Sequence, residues 1–157
     1  MRVARARLVA LVSLAAAIGC AGPTGPSEVE ETLRENRSRF RALVGGSYVF
    51  DYRNLCFCPV FLVDGVRITL RDHAIVSVVA LTDGRPEPPE RWHFYKTVEG
   101  VFSAIEDALQ QDAATLEVSY HERLGYPTHV FIDVDLLTAD EEQTYILSNL
   151  EPEEAMP

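Results

Sequence analysis

Residues 97–120, TVEGVFSAIEDALQQDAATLEVSY, change from a helical to a strand-like pattern within one stretch of the chain. In the first part, behind Thr97 as N-cap, the apolar residues share one helix face; they are Val98, Val101, Phe102, Ile105, Ala108 and Leu109. From Leu116 to Tyr120, apolar and polar residues alternate, which is typical of a strand with one buried face. Because the helix must bury its single apolar stripe, the stretch predicts an α+β domain with helices packed on one face of an antiparallel sheet.

The remaining elements are predicted from caps, turns and alternation. Ser27 and Glu30 have the spacing of a capping box, and a glycine pair follows at 45 and 46. We therefore expect a helix from residue 28 to about 44, with an apolar stripe of Val29, Leu33, Phe40 and Leu43. Further strands are expected at 47–53, within 60–71, and at 74–81, 128–134 and 143–150. The prediction is a sheet of about six strands with two helices on one face, in a single domain of residues 28–150.

Two turns compete for the hairpin in the first half. Asp72-His73 has the better alternating runs on either side, so we predict the hairpin there and expect Asp64-Gly65 to be a bulge or bend within a long strand. Residues 82–90, with three prolines and a glycine, are expected to form a loop, and residues 151–157 a frayed, disordered tail.

The order of a helix and three strands occurs twice, which raises the hypothesis of a duplicated αβββ unit. Tyr52 and Pro59 are seven residues apart, as are Tyr120 and Pro127, and a shift of 68 residues carries the first pair onto the second. The two repeats would be residues 28–95 and 96–150, and coincidence between similarly spaced patterns is the alternative.

The N-terminus is interpreted as a lipoprotein signal peptide of residues 1–19. Three arginines precede an apolar run at 8–18 that is far shorter than the ~20 residues of a membrane-spanning helix. Ala17-Ile18-Gly19-Cys20 resembles a lipobox, although Ala17 stands where leucine is usual. We therefore expect acylation of Cys20, a flexible tether over 20–27 and a lipid-anchored location on the extracytoplasmic side of the cell envelope. Ordinary secretion with Cys20 removed or left over is the alternative.

The charge of the chain argues against nucleic-acid binding. The formal net charge is −10, and it becomes −13 once residues 1–19, with three arginines and no acidic residue, are removed. Arg34, Arg37 and Arg41 share a helix face; they could touch anionic lipid head groups or be a solvated face paired with Glu30 and Glu35.

Cys56 and Cys58 are the two thiols that remain after acylation of Cys20, and outside the cytoplasm they are expected to form a local disulfide. Residues two apart on a flat strand lie about 6.5 Å apart, at the long limit for a disulfide, so a bend is required. The alternatives are reduced or intermolecular cysteines, and a redox or metal function. Against the last, no helix start follows Pro59 and the histidines lack paired ligand spacing.

Two other groups of residues are candidates for binding. Arg91, Trp92, Phe94 and Tyr95 are residue types that anchor interfaces, although Trp92 and Phe94 could instead cover the core. Five carboxylates between 133 and 142 suggest calcium, but the segment lacks the spacing of an EF-hand and is interpreted as a solvated acidic turn.

Three passages resemble an uncharacterised family of bacterial secreted and lipoprotein domains over residues 28–150. They are Cys56-Phe57-Cys58-Pro59, Thr97 to Phe102, and Val118-Ser119-Tyr120 with Leu124-Gly125-Tyr126-Pro127 and Ile132-Asp133. The chain departs from that family's pattern at Phe40, Gly100 and His121, where tryptophan, an acidic residue and aspartate are usual. The resemblance implies a fold and an envelope location, and it implies no reaction.

We therefore expect a non-enzymatic, lipid-anchored binding module of the cell envelope, with no cofactor or metal and no catalytic residue. Its expected contacts are the membrane, through the lipid anchor, and an envelope protein or cell-wall partner, by fold analogy with envelope assembly lipoproteins and secreted protein inhibitors that present a sheet surface. A thiol-redox or metal-dependent activity at Cys56 and Cys58 is the competing hypothesis.

Overall fold

A computed structural model describes residues 27–138 and 140–153. The predicted signal peptide, Cys20, most of the predicted tether and residues 154–157 lie outside the described part. The helices are α1 (Glu28–Leu43), α2 (Val60–Asp64) and α3 (Val98–Gln110), and a short 3-10 helix covers Pro89–Phe94. The strands are β1 (Tyr48–Leu55), β2 (Val66–Arg71), β3 (Ala74–Ala80), β4 (Thr115–Tyr120), β5 (Pro127–Asp133) and β6 (Gln143–Pro152).

The six strands form one antiparallel sheet in the order β3-β2-β1-β6-β5-β4. The turn between β2 and β3 is Asp72-His73, with φ of 49° and 67°, so the hairpin lies where the alternation predicted it. β1 and β6 meet at the centre and join the two three-stranded halves. The predicted α+β class with a six-stranded antiparallel sheet is confirmed in this broad form.

Helices α1 and α3 pack side by side on one face of the sheet. The rings of Phe40 on α1 and Phe102 on α3 lie 5.9 Å apart, and Phe40 also meets Tyr48 of β1 edge-on at 5.4 Å. The inward side chains of β1, Tyr48, Phe50 and Tyr52, are buried. The core thus lies between this face of the sheet and the two long helices, and the opposite face of the sheet is not covered by a helix of the described residues.

The predicted α1 begins where the capping box placed it. The Ser27 hydroxyl accepts a hydrogen bond from the Glu30 backbone amide, and the Glu30 carboxylate accepts one from the Ser27 amide. Only part of the predicted stripe is buried, because Leu33 and Phe40 face the core with Asn36, whereas Val29 and Leu43 at the two ends are exposed. The helix crosses the sheet, so its terminal turns extend past the covered surface.

Two predicted boundaries are wrong. Asp64 ends the additional helix α2 and Gly65, at φ 88°, links it to β2, so there is no bulge within a long strand. The helix count rises to three as a result, and the expectation that no helix start follows Pro59 is wrong, because α2 begins at Val60. Strand β6 continues to Pro152, because Glu151 and Pro152 pair with Val49 and Tyr48, so the expected frayed tail does not begin at 151.

The duplication is not confirmed. Across the sheet, β1 and β4 run in opposite directions, because three antiparallel pairings separate them. Both halves nevertheless progress toward the same side, and their first helices lie on the same face. Halves arranged in this way are mirror-related in their connectivity, and no rotation superposes them with the helices kept on one face.

Candidate functional site

Exposed apolar side chains collect at one end of the sheet, where β1 and β5 finish and where β4 and β6 begin. Pairing of Leu55 with Thr144, and of Thr115 with Asp133, places these strand termini side by side. We call this region the apolar end, and its exposed members are Leu55, Phe57, Val60, Val134, Leu136 and Leu137. Neighbouring strands lie about 5 Å apart, so the loops that follow β1 and β5 are about 10 Å apart at their bases. Grouped apolar exposure of this kind marks an interaction surface.

The first loop presents Phe57 on a closed ring. Cys56 and Cys58 are joined by a disulfide with a Cα to Cα distance of 5.1 Å, and the Cys58 amide donates to the Cys56 carbonyl at 2.8 Å. The chain bends here just after β1 ends, as the disulfide geometry required. Cys58 packs against the core, whereas Phe57 is 84 % exposed and Val60 is 70 % exposed. The ring therefore fixes the backbone on both sides of a phenyl group that points into solvent.

The second loop, between β5 and β6, presents two leucines on a turn held by carboxylates. The Asp135 carboxylate accepts hydrogen bonds from the Leu137 amide at 3.0 Å and the Thr138 hydroxyl at 3.1 Å. The Glu141 carboxylate accepts one from the Asp135 amide at 2.7 Å. Leu136 and Leu137 are 73 % and 94 % exposed. The acidic turn expected here is thus present, and two of its carboxylates hold the loop that displays the leucines.

The predicted partner-binding cluster is divided between core and surface. Trp92 donates its indole N–H to the Glu87 carbonyl at 2.9 Å and packs against the core, and Tyr95 is buried. Burial raises the pKa of Tyr95 to about 12, which keeps the phenol neutral. Half of the cluster therefore covers the core, which was the alternative interpretation.

The other half of the cluster adjoins the apolar end. Phe94 is half-exposed and meets Phe61 of α2 edge-on at 5.6 Å, and Arg91 lies 4.9 Å from the centre of the same Phe61 ring. Since Val60 precedes Phe61, the surface of Phe94 continues that of the first loop. Of the four predicted residues, Phe94 and Arg91 remain candidates for contact with a partner.

The chain enters the domain at the apolar end. The first two turns of α1 line a groove along β4 that includes Leu116 and Tyr120, the second and last residues of that strand. Further along the helix, Asn36 meets the Gly125 turn that follows β4, so the first turn of α1 lies toward the beginning of β4. At its other end, α1 leads through Gly46, whose carbonyl accepts from the His73 amide in the β2–β3 hairpin. The helix therefore runs from the apolar end to the opposite end of the sheet.

The arginines of α1 are paired, but with other acids than expected. Arg37 contacts Glu99 at 2.8 Å and Glu106 at 2.6 Å, and Arg41 contacts Glu99 at 2.8 Å. Burial raises the pKa of Glu99, but hydrogen bonds from Arg41 and Arg37 outweigh it and hold the pKa below its usual value. Glu30 and Glu35 were therefore the wrong partners, because Arg37 and Arg41 bridge α1 to α3 and Arg34 contacts Glu31 within α1 at 3.2 Å.

The uncovered face of the sheet carries a buried carboxylate. Asp51 on β1 accepts two hydrogen bonds from Arg67, at 2.7 and 3.0 Å, and one from the Asn149 amide at 2.8 Å. Burial raises the pKa of Asp51, but the hydrogen bonds from Arg67 and from the Asn149 side chain lower it by more. The pKa therefore lies below its usual value, and the carboxylate is kept ionised. This group stabilises the pairing of β1 with its two neighbours.

Comparison with known proteins decides the family. A family of unknown function (DUF6174) matches residues 32–152, which is most of the chain. The chain belongs to the DUF6174 family. No curated protein and no solved structure matches it. Within the described residues, no helix is long and apolar enough to cross a bilayer.

The Gly-Tyr-Pro passage of this DUF6174 domain lies at the end of the sheet opposite to the Cys-Phe-Cys ring. Gly125 has φ 77°, and a Cβ placed on it would lie 2.5 Å from the Asn36 carbonyl oxygen of α1. His121, where the family resemblance leads us to expect aspartate, accepts a hydrogen bond from the Leu124 amide through Nδ1 at 3.1 Å and stacks on Tyr126 at 4.9 Å. Either residue type can supply that acceptor, so the departure preserves the turn.

Sequence reasoning found the ring and missed the leucines. The disulfide followed from the spacing of Cys56 and Cys58 and from the expected compartment. Leu136 and Leu137 were not predicted, because the neighbouring carboxylates led us to interpret the segment as a polar turn. Two adjacent leucines in a turn do not belong to a helix or strand face that packs on the core. Their presence there was the sequence feature that could have predicted an exposed apolar surface.

Proposed function

We propose that this protein is a lipid-anchored cell-envelope protein that acts as a non-enzymatic binding module, with the apolar end as its contact surface. The observation that carries the proposal is the display of Phe57, Leu136 and Leu137 by two separately braced loops at the same end of the sheet. A loop that merely tolerated exposed apolar groups would need no such bracing.

The location rests on the cysteines. A disulfide between Cys56 and Cys58 persists in oxidising compartments and is rare in the cytoplasm, in agreement with the short apolar run and the lipobox-like Ala17 to Cys20. Acylation of Cys20 supplies the anchor. Mass spectrometry of the mature N-terminus tests this part: we expect a diacyl or triacyl Cys20, and an unmodified terminus or cleavage beyond Cys20 would refute it.

The contact surface is tested by photo-crosslinking in cells. A photoreactive amino acid at position 57 or 137 should form crosslinks to an envelope component, whether lipid or protein. Leu43 is the matched control, since it is also an exposed leucine but lies at the opposite end of α1. Equal crosslinking at positions 43, 57 and 137 would show that the apolar end is not a preferred contact surface.

Free-thiol labelling separates the binding module from a thiol enzyme. The mature protein should take up no thiol reagent before reduction and two equivalents after it. Labelling of Cys56 or Cys58 in the untreated protein at neutral pH would favour the redox hypothesis instead.

A further inference from the structure

We propose that the apolar end docks on the lipid surface of the membrane that carries the anchor. The strands of the sheet then lie roughly perpendicular to the plane of the bilayer. The inference rests on the proposed lipid anchor at Cys20. Phe57 and Val60 on one loop, and Leu136 and Leu137 on the other, insert among the lipid head groups. Their depth is that of an interfacial contact and does not approach a membrane span.

The tether limits how far the domain can lie from the membrane. Six residues lie between Cys20 and Ser27, so the seven residue steps from one to the other reach at most about 25 Å. Ser27 caps α1 at the apolar end, and the opposite end lies about 23 Å away along the seven residue steps of β1. The apolar end is therefore the one that the anchor holds within reach of the bilayer.

The tether also makes a weak contact between the apolar end and the bilayer sufficient. Four exposed apolar side chains on two narrow loops make a weak surface by themselves. Confinement by a short tether converts docking into an intramolecular event with a high effective concentration, so a weak contact becomes populated. The braced loops reduce the ordering cost, since the disulfide and the Asp135 carboxylate already hold the side chains outward.

The charge of the apolar end predicts which lipid head groups it prefers. Asp140, Glu141 and Glu142 lie beside the second loop, and the first turn of α1 adds Glu28, Glu30 and Glu31. Anionic head groups would repel these carboxylates over a Debye length of about 8 Å, whereas zwitterionic head groups would not. Docking should therefore weaken as anionic lipid is added, contrary to the behaviour of basic amphipathic anchors.

The test places an environment-sensitive dye at single positions of the acylated, mature protein. Leu136→Cys and Leu137→Cys introduce one free thiol each, because Cys56 and Cys58 are bonded to each other and Cys20 is acylated. The thiol is labelled with the fluorophore NBD, and the protein is reconstituted into phosphatidylcholine vesicles. Leu43→Cys, at the opposite end of α1, is the matched control.

We expect NBD at 136 and 137 of the acylated protein in vesicles to show a blue shift and a rise in emission of about twofold or more, compared with the same labels on the unacylated Cys20→Ser form in buffer, as interfacial insertion requires. NBD at 43 should show neither. Phe57→Ser combined with Val60→Ser should reduce the response at 137, and vesicles containing phosphatidylglycerol should give a smaller response than phosphatidylcholine alone.

Three outcomes would overturn the inference. Equal, water-like emission from all three labels would show that the domain does not dock. If Cys20 is acylated in the same sample, the proposed lipid anchor would still stand. A larger response with anionic vesicles would contradict the charge argument. A response at 137 with native envelope membranes but not with vesicles of their extracted lipids would assign the apolar end to a protein partner.

Discussion

Replacement of Gly125 by alanine should destabilise the domain more than replacement of another glycine with the same backbone conformation. Gly125 and Gly84 have φ of 77° and 73°, a region that costs alanine roughly 1–2 kcal/mol. A Cβ at Gly84 meets nothing within 4 Å, whereas at Gly125 it would lie 2.5 Å from the Asn36 carbonyl oxygen. Forcing α1 away from the turn adds about 1–3 kcal/mol, as overpacking usually does. We therefore expect a loss of about 1–2 kcal/mol for Gly84→Ala and about 2–5 kcal/mol for Gly125→Ala.

The assay is urea unfolding of the mature domain with the disulfide oxidised, followed by circular dichroism and tryptophan fluorescence of Trp92. A typical domain has 5–15 kcal/mol of stability, so both variants should still fold at low temperature. The m-values should stay unchanged, because the surface exposed on unfolding is the same. Equal losses for the two variants would refute the claim that close contact between Gly125 and α1 is what requires glycine.

Three further outcomes follow from the same structure. Cys56→Ser combined with Cys58→Ser should cost no more than about 1.5 kcal/mol, because the ring constrains so few residues, yet it should make Phe57 cleavable by chymotrypsin in limited proteolysis. Leu137→Ser should change the free energy of unfolding by less than about 0.5 kcal/mol, because the side chain is 94 % exposed, and a larger loss would show that it packs. Asp51 has a lowered pKa in the folded state, so its contribution is present above the unfolded pKa of about 4 and is lost as pH falls below it; Asp51→Asn should flatten this part of the stability curve in acid unfolding.

The fold could be predicted where a pattern repeated often enough to name a face. The stripe of α3 and the alternation on either side of Asp72-His73 each bury apolar groups in register, so periodicity alone placed them. Helix α2 could not be predicted in this way, because five residues are too short to show a helical period and Val60 to Val63 resemble a strand. The predicted burial of Val29 and Leu43 was wrong for another reason, since it depends on where the sheet stops beneath α1.

The candidate site was only partly predictable for a related reason. A disulfide between near neighbours is a local property, and it could be predicted because Cys56 and Cys58 are each other's nearest partner in the expected oxidising compartment. The apolar end combines loops that are about 80 residues apart in the sequence, and it exists only because β6 pairs between β1 and β5. No local pattern carries that pairing, so the grouping of Phe57 with Leu137 required the sheet order.

The direction of the strands gives the two recognisable motifs separate roles. Had β1 and β4 run in parallel, as they would if the two halves were related by a translation across the sheet, Cys56-Phe57-Cys58 and Gly125-Tyr126-Pro127 would follow them at the same end of the sheet. They lie instead at opposite ends, because β4 runs against β1. At one end, Gly125 lets the turn approach α1 and Tyr126 is buried beneath it, which fixes the helix on the sheet. At the other, the cysteine ring turns Phe57 outward, at the end of the sheet where that same helix begins. Because α1 joins the two ends, fixing it at the Gly125 turn also fixes the place where the tether leaves the domain relative to the apolar end.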